Sequence, residues 1–438
     1  MRAIRFVVGW LSLALIGWLG YALTRALAAI IYLGVPFFDW QWYAPSIVLI
    51  TVVPLCLLDC RLRPQAKRIS RRMVVILMSL LIWVVLGVNG FGQTIELQPN
   101  TEPAPPVSFW SFSDFRQVPE TLLRDLQVAG GSIFLSIGDV SKPENAHALA
   151  VGLKRLAEYD VPVYLAPSLS NFLSVPVYTE WITQSQHVAE LIQREQLRNV
   201  RGLIGDAESP LNMPLDWLGR DRSNFDRMIN QLRDSLEQMH RQFPNLQIGV
   251  TAMWPQFADR LDGDTDLAMV LRSPVDPPGN WDFINLMTYS SYYPADWRSY
   301  YIYVHETALA RLYPASRRSH LIGLVGAGFP GEPLLSFDDL VRDAGLSRAL
   351  GVQEIVIFQM TDALRAFGAD FVGRVTKAIN TAAQSPVTVI FSRPVSLMFY
   401  GTVALDAILD ARSSQTWLWI GWLIVSSAVA WRWSRRRS

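Results

Sequence analysis

Between about residues 105 and 383 the chain repeats one pattern, a short apolar run followed by a longer amphipathic one. The short runs begin with Val107-Ser108-Phe109-Trp110, Ile133-Phe134-Leu135-Ser136 and Val161-Pro162-Val163-Tyr164-Leu165. Val200 to Gly205, Ile248 to Ala252, Phe283 to Met287, Leu321 to Val325 and Ile355 to Phe358 continue the series. Most are rich in β-branched residues and bounded by polar or Gly-containing turns, which reads as strand. Helical periodicity fills the gaps, as in Phe225 to Phe243, where Met228, Leu232, Leu236 and Met239 recur at helical spacing. Val188, Leu191 and Ile192 share a face in the same way over Val188 to Leu197. Strands that alternate with helices pair in parallel through right-handed crossovers. Eight such units over roughly 280 residues match a closed (β/α)8 barrel; an open doubly wound sheet is the alternative. No Gly-x-Gly-x-x-Gly follows the first strand, which counts against a dinucleotide site.

The flanks are of another kind. Apolar runs cover about 6–33, 44–58 and 73–92, and a further one covers about 415–431. A span needs about 20 residues, which the first and third runs supply. The full expectation is therefore a (β/α)8 TIM barrel flanked by transmembrane helices. Residues 1–95 form a membrane region with about three spans, 103–385 the barrel, and 386–438 a C-terminal membrane region with one or two apolar segments and a basic tail. The stretch at about 388–409 is apolar but interrupted by Arg393, Pro394 and Asp406, which suggests an interfacial or re-entrant segment. Arg61, Arg63, Lys67, Arg68, Arg71 and Arg72 mark a cytoplasmic linker. That orientation predicts an integral protein of a bacterial-type inner or plasma membrane, with the barrel on the extracytoplasmic side.

Net charge is +1, so no global field draws the chain to nucleic acid. The two cysteines, Cys56 and Cys60, lie outside the repeating region and exclude a disulfide framework there. His147, His187, His240, His305 and His320 show no ligand-like spacing, so neither a metal nor a cofactor is expected.

In a parallel barrel, chemistry is built where the strands end. The fourth run closes on Asp206-Ala207-Glu208, two carboxylates two residues apart and thus on one face. Trp110 and Asp114 follow or end the first strand, and Ser136 and Asp139 the second. Trp254 follows the fifth; Asn285, Tyr289, Tyr292 and Tyr293 lie on or after the sixth; Gln359 and Asp362 follow the eighth. Carboxyls that act as acid, base or nucleophile, beside aromatic faces that stack on pyranose rings, suit sugar chemistry. The glycine-rich Val325-Gly326-Ala327-Gly328-Phe329-Pro330-Gly331 has no following Lys and Ser/Thr and reads as a plain turn rather than a phosphate cradle.

Gly202-Leu203-Ile204-Gly205-Asp206-Ala207-Glu208 resembles the strand-four signature of the family 18 glycoside hydrolases, Asp-Gly-x-Asp-x-Asp-x-Glu. Met287-Thr288-Tyr289 resembles that family's Met-x-Tyr, and Ser136-Ile137-Gly138 its Ser-x-Gly-Gly. The resemblance implies that Glu208 is the general acid and that Asp206 orients a 2-acetamido group whose carbonyl oxygen is the nucleophile. It implies that Tyr289 hydrogen-bonds that group. Trp110, Asp139, Trp254, Asn285, Tyr292, Gln359 and Asp362 are the candidate substrate-binding residues. The implied partner is a cell-wall or exported polysaccharide, with a membrane and without nucleic acid. Arg201 and Ile204 stand where the signature has earlier aspartates, Asp139 stands for a glycine, Ser290 for an aspartate and Gln359 for a tryptophan. Those departures keep a second reading open, a non-catalytic glycan-binding or structural membrane protein on a degenerate glycosidase barrel.

Overall fold

The apolar runs pair with one another in the order in which they occur. The computed structural model describes residues 94–403 and 405, apart from 101, 113–117, 169–177, 208–221, 262–264, 272, 274, 276–279, 324–334, 383, 384, 393 and 397. A short strand, β1 (Thr94–Leu97), comes first. The barrel strands follow as β2 (Val107–Ser111), β3 (Ile133–Ile137), β4 (Val163–Pro167), β5 (Val200–Asp206), β6 (Gln247–Ala252), β7 (Phe283–Met287), β8 (Arg318–Gly323) and β9 (Glu354–Phe358). All eight pair in parallel, and β9 returns to β2 to close the barrel. Closure leaves no free sheet edge and buries both faces of each strand, which is why the runs are almost continuously apolar.

The helices are α1 (Glu120–Ala129), α2 (Pro143–Ala157), α3 (Tyr178–Glu195), α4 (Arg222–Gln242), α5 (Asp266–Leu271), α6 (Ala295–Leu312), α7 (Phe337–Ala349), α8 (Met360–Phe367) and α9 (Phe371–Ala382). Each amphipathic helix turns its apolar stripe to the sheet; α1, for example, buries Leu122, Leu123 and Leu126. α7 starts in a capping box in which Ser336 and Asp339 satisfy each other's backbone N–H groups.

Alternation along the strands sends every second side chain inward. One side of the interior is a column of aromatic rings. Trp110 stacks on Phe134 with centroids 6.0 Å apart, and Phe134 stacks on Tyr164 at 4.8 Å. Tyr164 meets Phe283 edge-on at 4.9 Å. Room for the Phe283 ring comes from its register partner Gly249, where a Cβ would stand 2.2 Å from the ring. Across the other side a polar row follows the register from strand to strand, through Asp206, Thr251, Asn285, Ser319 and Glu354. The row descends from the mouth at Asp206 to the floor at Glu354, where Ser108 Oγ–H donates to the carboxylate at 2.5 Å.

Two findings correct the sequence reading. Among the described residues no helix is long and apolar enough to cross a membrane. The physical reason is composition: α3 carries Glu180, Glu190, Arg194 and Glu195, and α6, of the same length, carries Asp296, Arg298, Glu306 and Arg311. The fold class is a (β/α)8 barrel, and the expected flanking transmembrane helices with the integral-membrane location built on them are not carried by it. The runs at 6–33, 44–58, 73–92 and 415–431 lie outside the described residues. The second finding concerns the stretch from 388. There β10 (Val387–Ile390) pairs antiparallel with β1 in a two-stranded ribbon, from Thr94 opposite Ile390 to Leu97 opposite Val387. Beyond it Phe391 meets Tyr300 of α6 edge-on at 4.9 Å, and Phe399 stacks on Trp254 at 5.1 Å. Val389, Val395 and Phe399 of that stretch are buried within the barrel unit, which runs from Gln93 to Thr402, while Ile390 and Met398 stay exposed.

Candidate active site

The C-terminal ends of the strands bring five aromatic rings into one strip. Trp110 ends inward from β2, with its indole N–H donating to Ser136 Oγ at 2.9 Å. Phe112 lies 6.3 Å from Trp110 and 5.5 Å from Phe358 at the end of β9. Phe358 lies 5.3 Å from Tyr289, and Tyr289 lies 6.3 Å from Tyr292. Phe112 and Tyr292 reach solvent, at 54% and 43% exposure. The other three rings are anchored, because Trp110 belongs to the interior cluster against which Tyr289 and Phe358 pack. An apolar ribbon that is rigid below and wet above presents ring faces to a ligand without needing to order them first.

Asp206 stands at the end of β5, half-buried and on the same inward face as Ile204 beneath it. Ile204 is fully buried in the interior cluster, so the position that holds an aspartate in the resembled signature is here part of the apolar packing. Asn285 is fully buried in mid-strand, and among the described residues neither of its side-chain polar atoms has a hydrogen-bond partner. Glu208, the expected acid, lies outside the described residues, as do Asp114 and the glycine-rich segment 326–331.

Other expected residues are placed differently. Asp139 accepts the Ser141 backbone N–H at 2.9 Å, a turn before α2; the Ser141 hydroxyl first, and that backbone bond second, hold its carboxyl below the usual range. Trp254 leads into a 3₁₀ helix, Trp254–Leu261, and is 2% exposed against Phe399 and His305 rather than in the strip. Gln359 and Asp362 meet each other, Nε2 donating to Oδ2 at 3.1 Å, and Arg365 takes the second oxygen at 3.2 Å. Phe112 and Phe358 were missed by the sequence reading. The signal was the period of two, since Phe112 follows Trp110 and Phe358 follows Val356 on the inward face.

At the N-terminal end of β8, between the sheet and α6, lies a fully buried ion pair. Arg318 Nη1 donates to Glu306 Oε2 at 3.2 Å. Burial pushes the Glu306 carboxyl up to about 7 against the pull of Arg318. His320, buried beside the same arginine, is pushed down to about 3, first by burial and then by that charge. An imidazole held neutral there is a hydrogen-bonding element, not a cation. Among the described residues no group of His, Cys, Asp and Glu could hold a metal ion.

No family model and no curated protein matches the chain. Among solved structures it is similar to the GH18 chitinase ChiB from the chitin utilization locus of Flavobacterium johnsoniae, at 9% identity and TM-score 0.40, over 64% of this chain and 95% of that one. It is similar to the PgaB (BpsB) glycoside hydrolase domain from Bordetella bronchiseptica at 12% identity and TM-score 0.41, over 63% and 99% of the two chains. A family GH18 chitinase from Cycas revoluta, in a complex with allosamidin, matches at 14% identity and TM-score 0.40, over 62% and 99%.

Proposed function

We propose that the barrel binds a glycan along the aromatic strip at its mouth and cleaves it, with Glu208 as general acid. The strip itself carries this reading: five rings from Trp110 to Tyr292 run over the strand ends, at the same end of the barrel as Asp206. Pyranose rings carry one apolar face, and that face stacks on aromatic rings while the hydroxyls stay wet. Asp206 orients a 2-acetamido group, and Tyr289 hydrogen-bonds it. The acetamido carbonyl oxygen then forms a bond to the anomeric carbon as the glycosidic C–O bond breaks, and Glu208 gives its proton to the leaving oxygen. Water attacks the same carbon in the second step, returning a proton to Glu208 and releasing the acetamido oxygen.

Ile204 favours one second reading. A buried isoleucine beneath Asp206 offers that carboxylate no acid partner from below. A barrel that grips a glycan without turnover needs no such partner.

The full-length chain, wild type beside Glu208→Gln, separates the two when offered a panel of bacterial glycans with product detection by mass. Cleavage by wild type that is lost in the variant supports the hydrolase. Binding by both without products supports the non-catalytic reading, and neither binding nor cleavage overturns both.

A further inference from the structure

Tyr289 has a hydroxyl residue on either side, Thr288 and Ser290. Their hydrogen bonds turn those two toward β8 and α7, while Tyr289 packs on the interior cluster. Both are buried, at 1% and 0% exposure, and both are bonded. The donors can be assigned from the proton inventory. Ser347 has one hydroxyl proton, and it goes to the Asp343 carbonyl at 2.7 Å. Ser347 Oγ therefore accepts from His320 Nδ1–H at 2.5 Å. That leaves His320 Nε2 as an acceptor, and the Thr288 hydroxyl donates to it. The Ser290 hydroxyl donates to Asp343 Oδ2. A closed circuit thus runs Thr288, His320, Ser347, Asp343, Ser290, with the Tyr289 backbone as its last link.

The circuit is braced by one helix. Asp339, Asp343 and Ser347 follow one another at four-residue spacing along α7 and so share a face. Arg342 binds Asp343 Oδ1 at 2.7 Å and Asp339 Oδ1 at 2.6 Å. Arg298 binds Asp339 Oδ2 at 3.1 Å and donates to the Tyr293 carbonyl at 3.0 Å. The segment from Thr288 to Tyr293, which carries Tyr289 and Tyr292, is therefore held at three points from α7 and its partners.

We propose that α7 is the rack that aims the Tyr289 phenol, with Asp343 and His320 as positioning residues. What Tyr289 is aimed at rests on the glycan reading above; that it is aimed rests on the circuit alone. Asp343 and His320 touch no ligand in this scheme. They act by removing the alternative backbone and side-chain settings of the residue between their two clients, which is preorganisation.

The test uses the full-length chain with 3-fluorotyrosine placed at position 289 and read by ¹⁹F NMR. Wild type gives one narrow resonance. Ser290→Ala, which removes one hydroxyl and little volume, splits or broadens it. Asp343→Asn keeps a hydrogen-bonding atom toward Ser290 and gives a spectrum near wild type. If Ser290→Ala does not fold, Ser347→Ala opens the circuit at its other side and is read in the same way. An unchanged resonance in the folded alanine variant overturns the role. On a glycan that wild type binds, Ser290→Ala weakens binding about fivefold, roughly the worth of one hydrogen bond. A wild type that binds no glycan overturns the glycan reading and leaves the ¹⁹F result to decide the positioning role by itself.

Discussion

Gly249→Ala probes the aromatic column directly. The added Cβ would stand 2.2 Å from Cζ, 2.4 Å from Cε2 and 2.5 Å from Cε1 of Phe283. Ordinary carbon contacts begin near 3.5 Å, so the ring must retreat by more than about 1 Å. It has nowhere easy to go, because Tyr164 and Phe134 flank it at 4.9 and 6.3 Å. Overpacking of this kind costs about 1–3 kcal/mol, partly offset by about 0.5 kcal/mol from a less flexible unfolded chain. A net loss of about 1.5 kcal/mol, set against an unfolding entropy of roughly 2.1 cal/mol/K per residue, lowers the melting temperature of a unit this size by about 2 °C. Shortening the ring gives the internal check. Phe283→Leu loses stability by itself, yet in the double variant it makes room for the Cβ, so the two losses are less than additive by about 1 kcal/mol. Differential scanning calorimetry on the four proteins of the cycle measures this. A Gly249→Ala protein as stable as wild type, or strictly additive losses, would refute the packing argument.

Phe112→Ala removes a ring that is 54% exposed, so glycan affinity falls about fivefold while the melting temperature stays within about 1 °C; calorimetric titration and thermal melts together check it. Arg348 ties the approach to β2 to the outer helices, donating to the Glu102 carbonyl at 2.5 Å and the Ile379 carbonyl at 2.8 Å, so Arg348→Ala lowers stability by about 2–3 kcal/mol in urea unfolding. Glu306, raised by burial from 4.5 to about 7, keeps its proton in the folded chain at pH values where the unfolded chain has lost it. Its contribution is complete below about pH 4.5 and is lost as pH rises through about 7, so urea midpoints fall across that window in wild type and lack that slope in Glu306→Gln.

The barrel was legible because its evidence is local. Each strand announces itself in five to seven residues, and period two places Ile204 and Asp206 on one face without any knowledge of the neighbours. What the sequence hid depends on partners far along the chain. Trp254 looks like a rim aromatic until Phe399 and His305 claim its ring. Gln359 and Asp362 look like two ligand contacts, yet they bond to each other. His320 was weighed only as a metal ligand; its use became visible once Thr288 and Ser347 stood on either side of it. β1 and β10 are short and half-exposed, so neither signals a strand until the other is beside it.

That ribbon has a mechanical consequence. Thr94 and Ile390 face each other at one end of it, Leu97 and Val387 at the other. Tension applied at Thr94 and Ile390 would load the cross-strand bonds one pair after another, in the manner of a zipper, instead of all together. The ribbon is thus a clasp whose four pairs part in sequence from that end.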